Sequence, residues 1–221
     1  MNMEQSIFLR SDELHAIMAM GGAKVFFCFA EQSSAPVARE RLLSATCDLQ
    51  ADGLLTQIDG QYRLRKDLFD VVYPIYQAKS ALVLTAANTQ KAQMIFYFGE
   101  QISALRKAHS DGYYLQPLTR EELGSWITEY LEPEIYEPLT TAPEFDMALS
   151  GSKDSPVTEL LEHAEFVLEL IDISTQRRTR WLRGLRSDFI MWSEYCADAT
   201  VVMPMTAEQL EEDLKKLTEG A

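Results

Sequence analysis

The residue types that most often do chemistry are sparse and scattered along this chain of 221 residues. His15, His109 and His163 stand alone, with no second ligand at a spacing such as HxxxH. A metal centre would therefore need partners from distant segments. Cys28, Cys47 and Cys196 are odd in number and lack CxxC spacing. That pattern predicts small packed side chains in a reducing compartment, not a disulfide framework or a nucleophile. Neither a GxGxxG nor a GxSxG motif occurs, which removes the common phosphate-loop and nucleophile-elbow chemistries. Carboxylates such as Glu211-Glu212-Asp213 fall on polar faces and at helix starts, as solvated groups do, without an acid/base pairing. The expectation is a protein that is not an enzyme and holds no cofactor or metal.

One cluster stands apart. Residues 177 to 186 carry Arg177, Arg178, Arg180, Arg183 and Arg186 around Trp181, with no acid among them. The whole chain has 20 Lys+Arg against 34 Asp+Glu, a formal charge of −14 and a pI near 4.6. Such a balance repels phosphate and anionic lipid, so neither a nucleic acid nor a membrane is expected as partner. Arginine and tryptophan together are frequent interface anchors. The plainer reading of the same residues is a solvated hairpin neutralised by neighbouring carboxylates. Apolar residues at 47% and aromatics at 10% supply enough material for a core. The first residues, Met1 to Ser6, include Glu4 and no basic residue, unlike a secretory signal, so the expected location is cytoplasmic.

The elements that must position these residues read as α+β. Ser11 is expected to N-cap a helix through Leu14, Ile17 and Met18 that stops at Gly21-Gly22. Val25 to Phe29 reads as a strand or buried turn, and Ser34-Ala35-Pro36 opens a second helix ending at Gly53. Asp59-Gly60 between Leu55–Ile58 and Gln61–Leu64 predicts a hairpin. A helix from Asp67 carries Leu68, Val72 and Ile75, with Pro74 expected to kink or shorten it. Strands are predicted at Leu82–Ala86, Lys91–Phe98, Ile102–Lys107 and Tyr113–Leu118, then a helix at Arg120–Leu131.

After a proline-punctuated connection at residues 132–149, the order recurs. A short helix at Ser155-Pro156 precedes strands at Phe166–Ile173, Arg180–Leu185, Phe189–Tyr195 and Thr200–Met203, and a helix from Ala207. Leu115-Gln-Pro-Leu-Thr-Arg-Glu-Glu-Leu123 matches Val202-Met-Pro-Met-Thr-Ala-Glu-Gln-Leu210 in register, 87 positions apart. Each copy places a Thr at an N-cap and Glu122 or Gln209 three residues later, with Leu118/Leu123 or Met205/Leu210 as a hydrophobic staple. The expected architecture is one domain, 1–221, of two pseudo-twofold-related halves. Each half is an antiparallel β-meander with covering helices: residues 1–131, the connection 132–149, and residues 150–221. The helix through Leu49 and the following hairpin also resemble a winged helix. There Arg39 and Arg41 face Glu40, Asp48 and Asp52, a poor surface for neutralising phosphate.

The series of motifs resembles the EspG family, cytosolic chaperones of type VII (ESX) secretion. The matching stretches are Ser11-Asp-Glu-Leu14 before Gly21-Gly22, Glu40-Arg41 in a helix running to Gly53-Leu54, and the helix around Leu68. Further on, Leu115-Gln-Pro-Leu118 is repeated at Val202-Met-Pro-Met205. The resemblance implies an α+β fold of pseudo-twofold halves, no catalytic residues, and recognition of the apolar end of a helical secretion substrate such as a PE–PPE heterodimer. On this reading the protein is a non-enzymatic chaperone or adaptor, and Tyr114, Trp181, Arg183 and Trp192 are its candidate partner-binding residues. The alternatives are a winged-helix transcriptional regulator using residues 35–64, or an interaction protein of another partner.

Overall fold

A computed structural model describes residues 6–22, 39–86, 94–108, 111–131, 164–187, 190–196 and 200–221; for 164, 185–187, 190–196, 200–204 and 207 it describes the backbone alone. Nine strands form one antiparallel sheet in the order β1-β7-β6-β5-β4-β8-β9-β10-β11. They are β1 (Ile7–Arg10), β4 (Ser80–Ala86), β5 (Met94–Phe98), β6 (Ile102–Lys107), β7 (Gly112–Leu118), β8 (Ala164–Asp172), β9 (Arg177–Ser187), β10 (Ile190–Cys196) and β11 (Thr200–Pro204). A separate hairpin joins β2 (Leu55–Ile58) to β3 (Gln61–Leu64). Asp59 and Gly60 both take positive φ, 52° and 78°, the backbone that a two-residue hairpin turn requires. The helices are α1 (Ser11–Met20), α2 (Arg39–Ala51), α3 (Lys66–Gln77), α4 (Arg120–Leu131) and α5 (Ala207–Thr218).

The mixed α+β class and both meanders are as the sequence predicts. The edge strand β1 was not anticipated. It is four residues long and runs directly into α1, which leaves too few positions to show a period. The helix there begins at Ser11, so Arg10 and not Ser11 occupies the N-cap. The buried Glu13 carboxylate accepts from the Arg10 backbone N–H at 2.7 Å and pairs with its guanidinium, which also reaches Asp48 on α2. The expected elements at 25–29, 34–38, 91–93 and 155–156, and the connection 132–149, lie outside the described residues.

Each face of the sheet has its own core. On one face Leu82, Leu84, Met94, Phe96, Phe98, Leu168, Leu170 and Leu182 pack under α4 and α5 through Leu123, Ile127, Leu210, Leu214 and Leu217. On the other, Ala81, Ile95, Tyr97, Leu105, Tyr113 and Leu115 pack under α3 and α1 through Leu68, Val71, Val72, Ile75, Leu14 and Ile17. Covering both faces explains why Met94–Phe98 is buried at all five positions: a strand with no wet side has no need to alternate. Pro74 sits inside the last turn of α3, which continues to Gln77.

The first strand-to-helix junction forms the full capping box that its motif encodes, and the second forms half of it. Thr119 N–H and Oγ1 both donate to Glu122, and Glu122 N–H returns to Thr119 Oγ1 at 3.3 Å. These bonds hold the Glu122 carboxyl below its ordinary pKa. In the second copy Gln209 N–H donates to Thr206 Oγ1 at 3.0 Å, while the Gln209 amide donates to Asp213. Leu118, Leu123, Met205 and Leu210 are all buried in the same core, as a pair of staples requires.

Two close contacts generate predictions. A Cβ at Gly184 on β9 would run into the Phe166 ring on β8, so glycine lets that aromatic lie flat over the strand. Gly184→Ala is expected to lose about 1–3 kcal/mol in urea unfolding, with part of the loss recovered in the Gly184→Ala/Phe166→Leu double variant. The Tyr76 hydroxyl on α3 donates to Ile17 O at 2.5 Å, and burial pushes its pKa from 10.0 to about 12. The folded state thus favours the neutral phenol. The resulting stability is complete below pH 10 and drains as the unfolded chain ionises between pH 10 and 12. Tyr76→Phe should be less stable at neutral pH, by about 1 kcal/mol, yet show a shallower fall across that window.

Candidate functional site

Strand β9 carries the arginine cluster, and its geometry divides that cluster between two faces. Leu182 points into the core beneath α4 and α5, so its neighbours Trp181 and Arg183 face the opposite side. Arg180 lies on the α5 side, where its guanidinium Nη1 donates to Lys216 O, Leu217 O and Glu219 O at 3.0, 3.3 and 2.8 Å. It therefore closes the last turn of α5, where unsatisfied carbonyls attract a cation. Arg180 is a structural cap. The same end of the molecule holds a cleft of about 620 Å³ lined by Lys79, Phe98, Arg120, Asp172 and Arg180 among others. Arg120 there donates to Ala221 O at 2.7 Å, and Asp172 accepts from Ser174 and Thr175, so Arg120, Asp172 and Arg180 already have bonds within the chain.

On the other face a β-bulge completes a surface. The register runs Glu169–Trp181 and Leu170–Arg180, then slips so that Ile171 faces Arg178, with Thr179 as the extra residue. The slip turns Arg178 to the same side as Trp181. Arg178 and Arg183 then bracket the indole, their guanidinium carbons 5.8 and 4.3 Å from its ring centroid. Arg178 also pairs with Glu169 at 2.8 Å. Trp181 and Arg183 are both half-buried. Flat guanidinium groups over an indole make a surface that can take up both an apolar side chain and a carboxylate.

The four residues singled out in the sequence do not form one site. Trp181 and Arg183 are in contact. Tyr114 on β7 pairs with Phe8 and Arg106, on the face of Met94 and α4. It is on the opposite side of the sheet from Trp181 and five strand positions away, roughly 24 Å at ~4.8 Å per strand. Trp192 lies on β10 opposite Leu185 and Pro204 in the backbone register; its side chain lies outside the described residues. Of the cations in the winged-helix-like segment, Arg39 is exposed and Arg41 is committed to Asp12 at 2.8 Å.

A second surface was legible in the sequence but not drawn from it. Phe69 and Tyr73 lie four positions apart on α3, out of phase with Leu68, Val72 and Ile75. Their rings stack at 4.9 Å while 44% and 40% exposed. Leu43, Ile58 and Tyr62 on α2 and the β2–β3 hairpin are also exposed. The helical phase of α3 was the available signal. Among the described residues no group of three or more His, Cys, Asp or Glu side chains is placed to hold a metal ion.

No protein-family model matches the chain, and no curated protein does. Its fold does match a solved structure, that of the Mycobacterium tuberculosis type VII secretion system chaperone EspG5 in complex with a PE25–PPE41 dimer. The match covers 97% of this chain and 96% of that one, with a TM-score of 0.63 and 8% sequence identity. At that identity the likeness is one of fold: an EspG5-like arrangement of sheet and helices over nearly the whole chain.

Proposed function

We propose that the protein is a non-enzymatic chaperone or adaptor of the cytoplasm that binds a helical secretion substrate and masks its apolar end. The observation that carries this reading is a set of exposed apolar side chains, all but Phe8 on α1, α2, α3 and the β2–β3 hairpin. Phe8, Met20, Leu43, Ile58, Tyr62, Phe69 and Tyr73 are each 39% exposed or more, side chains that are costly to leave wet and common at protein interfaces. The fold likeness to a secretion chaperone over nearly the full chain supports it. Among the described residues no helix is long and apolar enough to cross a membrane. The chain acts as one domain of two related halves, 1–131 and 150–221, joined by residues 132–149. A DNA-binding role for residues 35–64 is disfavoured by the pairing of Arg41 with Asp12.

Co-expression with the helical secreted proteins encoded beside this gene tests the proposal. A complex that survives size-exclusion chromatography, with the substrate protected from aggregation, is the expected result. Failure of every such neighbour to form a complex overturns it.

A further inference from the structure

The cleft between the start of α4 and the end of α5 is lined by described residues alone. Its floor is a row across three neighbouring strands. Ser80 on β4 pairs with Phe98 on β5 and with Asp172 on β8. Phe98 and Leu170 belong to the core under α4 and α5, and strand alternation sets Ser80 and Asp172 on that same face. Arg120 lies over the Phe98 ring, 5.5 Å from its centroid, and Arg180 holds the last turn of α5 alongside.

Six charged side chains line this space, Lys79, Arg120 and Arg180 against Glu100, Asp172 and Glu219. The cleft is therefore neutral, in a chain whose formal charge is −14. Among the described residues no ion pair joins any two of the six. The bonds they do make leave groups over. Arg120 spends Nη2 on Ala221 O, and Arg180 spends Nη1 on the carbonyls of α5. Asp172 takes three bonds through Oδ1, which hold its carboxyl below the ordinary pKa, and among the described residues Oδ2 takes none. Gln77 Oε1, buried in the wall, accepts no hydrogen bond.

These groups define a ligand. A simple cation or anion would meet three charges of its own sign, whereas a molecule charged oppositely at its two ends can use both sets. Arg120 stands over β5 and Asp172 on β8, two strand positions apart, roughly 10 Å at ~4.8 Å per strand. An extended peptide advances about 3.5 Å per residue, so two or three residues bridge that gap. Gln77 Oε1 lacks an N–H donor, which a peptide amide supplies. Phe98 and Leu170 offer an apolar floor to an aliphatic side chain.

We infer that this cleft is a binding site for short zwitterionic peptides of about two or three residues, with the carboxylate at Arg120 and the ammonium group at Asp172. The inference is independent of the adaptor reading, because none of the exposed apolar side chains that carry that reading lines the cleft.

The dipeptide Gly-Leu tests it by calorimetric titration, beside N-acetyl-Gly-Leu, which lacks the ammonium group, and Gly-Leu amide, which lacks the carboxylate. Each blocked form is expected to bind at least about tenfold more weakly than Gly-Leu. Hydrogen exchange should show protection at Ser80 and at Gly99 and Glu100. Asp172→Asn should erase the preference for the free over the acetylated peptide and keep the preference for the carboxylate over the amide. Arg120→Gln should do the reverse, a crossed pattern that a merely structural role would not produce. Circular dichroism and thermal unfolding of each variant establish that it is folded. Equal binding of the free and blocked peptides, no binding of Gly-Leu at millimolar concentration, protection elsewhere in the chain, or variants that weaken all three peptides alike overturns the inference. None of these outcomes bears on the adaptor reading, which the co-expression result decides.

Discussion

The seven antiparallel pairs between β4 and β8, from Ser80–Asp172 to Ala86–Phe166, hold the architecture together. They bring residues 80 to 92 positions apart into register, so their formation must offset a large loop-closure entropy. What repays it is the burial on either side. Leu82, Leu84, Leu168 and Leu170 form the floor on which α4 and α5 both rest. Without this pairing each meander would end in an open, apolar edge, and the two helices would have no common surface. The non-local character of the contact places this fold among the slower-folding topologies.

Around that centre, local chemistry acts at the joints. The Thr–x–x–Glu/Gln junctions fix where α4 and α5 begin, and the leucine and methionine staples fix the angle at which they leave the sheet. Arg180 closes the far end of α5 from a neighbouring strand. On the opposite face the buried Glu13 carboxylate, bound to Arg10, ties the start of α1 to the edge strand, and Tyr76 ties its end to α3. Helix position here depends on a few polar contacts at helix termini, while the apolar stripes between them supply the area.

Much of this was legible in the residues. Periods of two and of 3.6, the Asp-Gly turn and the duplicated junction motif mark nearly every described element, because each is a local signal. What was not legible depended on distance or on a broken period. β1 is too short to show alternation and acquires its structure from β7. Tyr114 and Trp181 look alike as strand aromatics, yet which face each meets follows from long-range pairing, and it places them on opposite sides of the sheet. The arginine cluster looks continuous, but strand alternation sends Arg180 to cap a helix. The exposed pair Phe69 and Tyr73 was within reach, since the helical phase alone separates them from Leu68, Val72 and Ile75.

The bulge at Thr179 bears on how such a surface could evolve. Composition is indifferent to it: the same five arginines would be present with or without the extra residue. Were the ladder to run regularly with Thr179 kept, Thr179 would face Ile171, and Arg178 and Arg177 would each turn to the reverse side of the strand, leaving Trp181 and Arg183 unchanged. Whether the one extra residue is taken up as a bulge or as a register shift thus decides how charge divides between the two sides of the sheet, with no substitution at all. Chains of this fold with matching arginine counts need not present matching surfaces, so comparisons among them require strand alignments that resolve single-residue insertions.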